Sequence, residues 1–257
     1  MNVRDLINEG VALFKNKKFD EAIEKLNQAL DGIEDKNSQI QEQNVIQSGL
    51  GCCYLEQAKK AQGKESEQLF GLAVEHFQQQ FSLAEQLEDK QNSLQQQTYA
   101  QSWLGRCYLE QAMKAKGKES EQLFGQAVKH HRQQLRLAEQ LESENGILQQ
   151  NNAQYWLGRC YLEQAKKAKG KKSEQLFGLA VKHHRQQLRL AEQLESENGI
   201  QQQNNAQYWL GRCYLEQAKK AKGKESEQLF GLAVEHFQQQ FSLAEQLEDK
   251  QNCLQEQ

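Results

Sequence analysis

"AQYWLGRCYLEQAKKAKGK" occupies residues 153–171 and recurs unchanged at 206–224, with a near copy, "AQSWLGRCYLEQAMKAKGK", at 100–118. Catalytic sites are assembled from chemically different residues scattered along a chain, so recurrence of this kind points to stacked structural units. The Gly of each "LG" pair stands at 51, 105, 158 and 211, a spacing of 54, 53 and 53 residues. The extra residue falls in the stretch "LEDKQN", against "LESEN", where a turn absorbs an insertion. Between 105–157 and 158–210 only Met113/Lys166, Glu119/Lys172, Gln126/Leu179 and Leu148/Gln201 differ, which fits recent duplication or deliberate construction.

Ala153, Leu157, Cys160 and Tyr161 fall at i, i+4, i+7 and i+8, one stripe of a helix with Trp156 beside it. Lys166, Lys167 and Lys169 suit the negative end of that helix, and Gly170 is expected to close it as a left-handed C′ residue. Glu163 and Lys167 are placed for an i,i+4 ion pair of about 0.3 kcal/mol. Beyond the turn, Leu176, Phe177, Ala180, Val181, His184, Leu188 and Ala191 make a second helical stripe. Each copy therefore reads as an antiparallel helical hairpin with arms of roughly 30 to 37 Å. A lone hairpin cannot bury both faces, and the chain has no proline to break long helices. The predicted fold is all-α: an α-solenoid, a right-handed superhelix of about five antiparallel hairpins. Its units are 1–36 (ordinary length), 37–91, 92–144, 145–197 and 198–251, with 252–257 opening a further helix.

The 257 residues carry a formal charge of -3, which argues against a polyanion-binding protein, and the mean hydropathy of -0.91 suits an elongated fold rich in surface. Leu, Ala, Tyr, Phe and Trp at regular helical intervals exclude disorder. The charged opening "MNVRDLINEGVALF" does not resemble a signal peptide, and no apolar run is long enough to cross a membrane; a cytoplasmic location is expected. Cys53, Cys107, Cys160 and Cys213 recur 53 or 54 residues apart, unlike the close pairs of zinc ligands, and read as small buried apolar residues.

The repeated residues resemble the tetratricopeptide family, whose signature pairs W-x2-L-G-x2-Y with A-x3-F. Leu157, Gly158 and Tyr161 match the first half; Ala73 to Phe77 and Ala233 to Phe237 match the second. In residues 8–30, Gly10, Leu13, Phe19, Ala22, Leu26 and Ala29 fit the family's ordinary unit, whereas the later copies insert about ten residues between Tyr54 and Ala73 and lack the family's proline. The resemblance implies protein or peptide binding in a groove lined by the first helix of each hairpin. The residues it places there are Ser102, Arg106 and Glu110; Asn152, Tyr155, Arg159 and Glu163; and Asn205, Tyr208, Arg212 and Glu216. Their amide, phenol and guanidinium groups suit an extended peptide, with Arg pairing carboxylates bidentately. A duplicated solvated face is the alternative. Chaperone-binding members of the family use Lys and Asn where this chain has Tyr and Arg, so chaperone-tail binding is not expected.

Adjacent helical residues point about 100° apart, so neither His130-His131 nor His183-His184 can chelate one ion, and no metal or cofactor is expected. His131 and His184 stand where other copies have Phe77 and Phe237, and they read as repacking of a core position, with a pH-sensitive histidine ladder as the rival. Lys129, Arg132, Arg136, Lys182, Arg185 and Arg189 make the middle second helices basic, which is read as a solvated face or a contact for an anionic partner or another copy. RNA reading is disfavoured because near-identical units would read only a homopolymer. No nucleophile turn, phosphate loop or acid pair with a base marks an enzyme. The last second helix, with Phe230, Val234, Phe237 and Phe241, is expected to lack a cover. That leaves either the recruiting arm of a larger signalling protein, beside a nucleotide-switch or protease domain, or an end-to-end homo-oligomer.

Overall fold

The connection between the two arms is only two residues in three of the long hairpins and four in the last, and each ends on a left-handed glycine that opens the second helix. The computed structural model describes residues 2–35 and 39–255, with side chains described for 2–35, 39–142 and 144–248. Among these residues ten helices and no strand occur: α1 (Val3–Lys15), α2 (Phe19–Asp31), α3 (Ile40–Lys60), α4 (Gly63–Ala84), α5 (Lys90–Lys114), α6 (Gly117–Ala138), α7 (Ser143–Lys167), α8 (Gly170–Ala191), α9 (Glu197–Ala218) and α10 (Gly223–Gln255). Consecutive helices pair as hairpins, α1–α2 to α9–α10, so the expected all-α arrangement of five hairpins is present, stacked as in a helical solenoid within each unit. The chain divides into two compact units, residues 1–141 with three hairpins and 142–257 with two. Within the first unit α2 packs on α3 and α4 on α5; within the second α8 packs on α9. First helices also touch one another directly, α1 with α3, α3 with α5, and α7 with α9, and thereby form one continuous surface in each unit. No described helix is long and apolar enough to cross a membrane.

Gly170 has the left-handed φ of +54° expected of it, but its role differs from the expectation. Helix α7 already ends at Lys167, and extended Ala168 is its cap, donating its N–H to the Gln164 carbonyl; Gly170 opens α8 instead. Gly63, Gly117 and Gly223 repeat this geometry at φ of +55° to +57°, a region a side chain would strain. A serine then fastens the turn. Ser66 Oγ donates to the Ala58 carbonyl at 2.8 Å, and Ser120 to Ala112, Ser173 to Ala165 and Ser226 to Ala218 do likewise.

The predicted stripe is the buried one: Ala153, Leu157, Cys160 and Tyr161 are at most 6 % exposed, and Phe177, Ala180 and His184 at most 1 %. The helices touch most closely at the "LG" glycine. A Cβ on Gly51 would lie 2.7 Å from the Phe77 ring, and Gly211 meets Phe237 in the same way. At Gly105 and Gly158 the facing ring is the imidazole of His131 or His184, so the histidines do stand in for phenylalanine in the core. The cysteines behave as expected too. Cys53, Cys107, Cys160 and Cys213 are buried free thiols, and burial pushes the Cys53 thiol up to about 12.

Neighbouring hairpins are clasped by a lysine. In the first unit Lys114 Nζ, from α5, donates to the carbonyls of Ala58 and Ala61 and to Ser66 Oγ at 2.7 to 3.1 Å, and lies 5.6 Å from the centre of the Phe70 ring. In the second unit Lys220 does the same to Ala165, Lys166, Ala168, Ser173 and Phe177. A cation placed on the bare carbonyls of a helix C-terminus answers both their unmet hydrogen bonds and the helix dipole.

Residues 63–92 and 223–252 are identical in sequence, yet they end differently. Helix α4 stops at Ala84, where Ser93 Oγ donates to the Ala84 carbonyl at 2.8 Å and Asp89 caps the Asn92 N–H at 2.6 Å. Helix α10 runs on to Gln255, through residues that the repeat pattern assigns to a new helix, while residues 256–257 lie outside those described. The two stretches diverge at the next residue, where Ser93, which fastens the α4 turn, is matched by Cys253.

The glycine contact predicts opposite signs for two alanine substitutions in one hairpin. Gly51→Ala should cost about 1–3 kcal/mol by forcing the Phe77 ring out of place. Gly71→Ala, mid-helix with nothing within 4 Å of the new Cβ, should gain roughly 0.5–1 kcal/mol. Urea unfolding followed by circular dichroism measures both.

Candidate functional site

Helical periodicity puts Tyr155 and Arg159 one turn apart on α7, and Tyr208 and Arg212 one turn apart on α9. Both pairs close in the same way: Arg159 Nη1 donates to the Tyr155 hydroxyl at 3.0 Å and Arg212 Nη1 to the Tyr208 hydroxyl at 2.9 Å. Direct packing of α7 on α9 then adds the neighbour's indole. The Arg159 guanidinium lies 4.3 Å from the centre of the Trp209 ring and 5.8 Å from Trp156, while Arg212 lies 5.9 Å from Trp209. Tyr155 meets Trp156 and Trp209 edge-on at 4.7 and 5.8 Å. All six side chains are half-buried, so the second unit presents a fixed patch of aromatic and guanidinium groups on its first-helix surface. Arg159 Nε is buried without a hydrogen-bond partner.

The structure brings part of the expected groove together and leaves part of it apart. Glu163 and Glu216, also half-buried, bind Lys166 and Lys219 at 2.8 and 2.7 Å. The i,i+3 lysine therefore joins Glu163 beside the expected i,i+4 residue Lys167, whose ammonium also feels the Glu163 charge. Asn152 is exposed, whereas Asn205 accepts from Gln187 Nε2 at 3.2 Å and so supports the second helix. In the first unit Ser102 is buried at 9 % exposure, Arg106 lies 3.9 Å from the centre of the Trp103 ring, and Glu110 is half-buried. Clefts lie elsewhere: about 680 Å³ between Phe19 and Lys60, about 510 Å³ next to Lys114 and about 320 Å³ next to Lys220.

Sequence reasoning overlooked a second recurring set. In each long hairpin a glutamine carbonyl of the first helix accepts from a histidine Nδ1 of the second: Gln47 with His76, Gln101 with His130, Gln154 with His183 and Gln207 with His236, at 2.6 to 2.8 Å. The imidazole stacks on Tyr54, Tyr108, Tyr161 or Tyr214 with ring centres 5.2 to 5.4 Å apart. The signal was present as a Gln-x6-Tyr in each long copy, with a histidine 29 residues after the glutamine. Arg185 Nη2 donates to the Tyr214 hydroxyl at 2.8 Å, so one member of the basic stripe on α8 serves the neighbouring hairpin. Three asparagines were missed too: buried Asn44 and Asn151 and half-buried Asn204 each donate to a carbonyl 36 residues on, at 2.7 to 2.9 Å.

His184 and His131 are shut away from water. Each donates Nδ1–H to the carbonyl of Gln187 or Gln134 at 2.9 Å, and His184 Nε2 faces Gly158 with no hydrogen-bond partner. Burial holds His131 down at about 3 and His184 at about 4; the glutamines oppose this, and nearby His130 or His183 and Arg106 or Arg159 add to it. Burial also lowers His76, His130 and His236.

No protein-family model and no curated protein matches the chain. The arrangement can bind through cation–π, stacking and hydrogen-bonding groups. Among the described residues no cluster of three His, Cys, Asp or Glu side chains is placed to hold a metal.

The neutral histidines predict acid sensitivity. Their unfolded value is about 6.5, so the unfolded chain takes up protons first as pH falls. Stability is therefore complete above about pH 6.5 and declines toward pH 4, by roughly 3 kcal/mol for each fully buried histidine. Urea midpoints measured from pH 7 to 4.5 should fall, and the decline should be shallower in a His131→Phe/His184→Phe variant. Equal slopes in the two proteins would refute this reading.

Proposed function

We propose that the chain is a non-enzymatic, tetratricopeptide-like scaffold of the cytoplasm that binds a protein or peptide along its first-helix surface. One observation carries the reading: the patch of Tyr155, Trp156, Arg159, Tyr208, Trp209 and Arg212, held in the same geometry on two successive first helices. Aromatic and arginine side chains supply most of the energy of protein interfaces, above all when their rotamers are fixed before binding. Here the tyrosine hydroxyls and the indole faces fix the guanidiniums, and each residue remains half-exposed to a ligand. An extended peptide carrying acidic and aromatic side chains answers such a surface, with carboxylates meeting the guanidinium edges and rings meeting the indoles. The repeated hairpins support the family resemblance, and the free thiols suit a reducing compartment.

The test compares partners captured from a cell lysate by the wild-type chain and by an Arg159→Ala/Arg212→Ala variant, quantified by mass spectrometry. Loss of a charge-assisted pair of roughly 1.5–3 kcal/mol lowers affinity about 10- to 100-fold, so at least one partner should disappear at matched protein folding. An unchanged set of partners removes the groove assignment.

A further inference from the structure

The long second helices come in two electrical kinds. In α4 the inward residues are Phe70, Ala73 and Phe77, and in α6 they are Phe124, Ala127 and His131, so the same outward row is left to water in both. Along that row Glu75, Gln78 and Ser82 of α4 are matched, 54 residues on, by Lys129, Arg132 and Arg136 of α6, and all six are exposed. These are the only positions at which the two helices differ in charge. Lys64 against Glu65, Glu67 and Glu75 leaves α4 at -2, whereas Lys118, Lys129, Arg132 and Arg136 against Glu119 and Glu121 leave α6 at +2. In the first unit α5 runs antiparallel to both and packs on both, so α4 and α6 point the same way, side by side on one surface. Their outward rows cannot meet within one chain. Among the described residues Glu75, Lys129 and Arg136 join no ion pair.

An acidic helix beside a basic one makes a surface complementary to itself. A twofold axis running between them, along the helix direction, lays α4 of one copy on α6 of the other and α6 on α4. It brings Glu75 to the height of Lys129 and Arg132, with the Gln78 amide and Ser82 hydroxyl facing Arg132 and Arg136. The backbones have room to approach, because a Cβ on Gly71 or Gly125, both exposed on these rows, would find nothing within 4 Å. The same step covers Leu72, which is 39 % exposed. In the second unit Lys182 on α8 and Glu235 on α10 repeat the arrangement. We propose that this outer face is a self-association surface, on which a second copy of the chain docks its acidic second helix against the basic one in each unit. The anion that the basic helices call for is thus carried by the chain itself. Single exposed ion pairs contribute little, so the association rests on the twofold repetition of every crossing and is weak and salt-sensitive.

The test is sedimentation of the full chain at about 0.05 M and about 0.5 M salt, between which the screening length falls roughly threefold. At the lower salt the wild type should exceed its monomer mass of 29.7 kDa, and at the higher it should return to it. Two charge-reversed chains, Glu75→Lys/Glu235→Lys and Lys129→Glu/Arg136→Glu/Lys182→Glu/Arg189→Glu, should each self-associate at least tenfold more weakly at unchanged circular dichroism, and an equimolar mixture of the two should associate. Arg159→Ala/Arg212→Ala should behave as wild type, which separates this face from the first-helix patch. A wild type that stays monomeric at low salt, association that persists in both reversed chains, or a mixture that does not associate overturns the proposal. So does a monomeric wild type that binds polyglutamate, because a foreign acidic chain would then be the occupant.

Discussion

The approach of a ring onto a glycine governs the rest of this molecule. Where Gly51, Gly105, Gly158 or Gly211 faces a phenylalanine or an imidazole, the two arms of a hairpin come close enough that any Cβ would overlap the ring. Close-packed interiors resist that kind of insertion. The tight pairing brings glutamine within reach of histidine and tyrosine on one side of the contact, and asparagine within reach of a backbone carbonyl further along. A looser hairpin would leave these buried polar groups without partners, at considerable cost.

Between hairpins the logic changes from packing rings to satisfying a helix end. Lys114 and Lys220 each bring an ammonium to carbonyls that the preceding first helix cannot bond itself, with a phenylalanine ring beneath. The contact binds neighbours in a fixed register, and register is what sets Tyr155 and Arg159 against Trp209. A rigid binding patch is thus a by-product of how one hairpin leans on the next.

Much of this architecture was legible in the sequence because it is written in spacing. The stripe of Ala153, Leu157, Cys160 and Tyr161 and the "LG" positions located the helices and their buried side, and the Phe-to-His exchange read correctly as repacking. What spacing could not reveal was partnership. Gly170 looked like the end of one helix because its left-handed preference is the same at either side of a turn. Glu163 could reach a lysine three or four residues on, and only the rotamer decides. Asn151 and Asn152 are alike on paper, yet one is buried and the other faces solvent. The turn after α4 uses Ser93, one residue beyond the stretch it shares with α10, and the stretch alone does not make a turn.

Near-identity among the copies also bears on how the chain reaches its native state. Residues 153–171 and 206–224 are the same string, so during folding either can settle into a seat meant for the other at little energetic penalty. Such swapped pairings are kinetic traps characteristic of repeat proteins. The differences that remain, imidazole against phenyl at the glycine seats and basic against acidic second helices, mark the two middle copies from the flanking ones and give the correct order an advantage over permutations that exchange those two kinds.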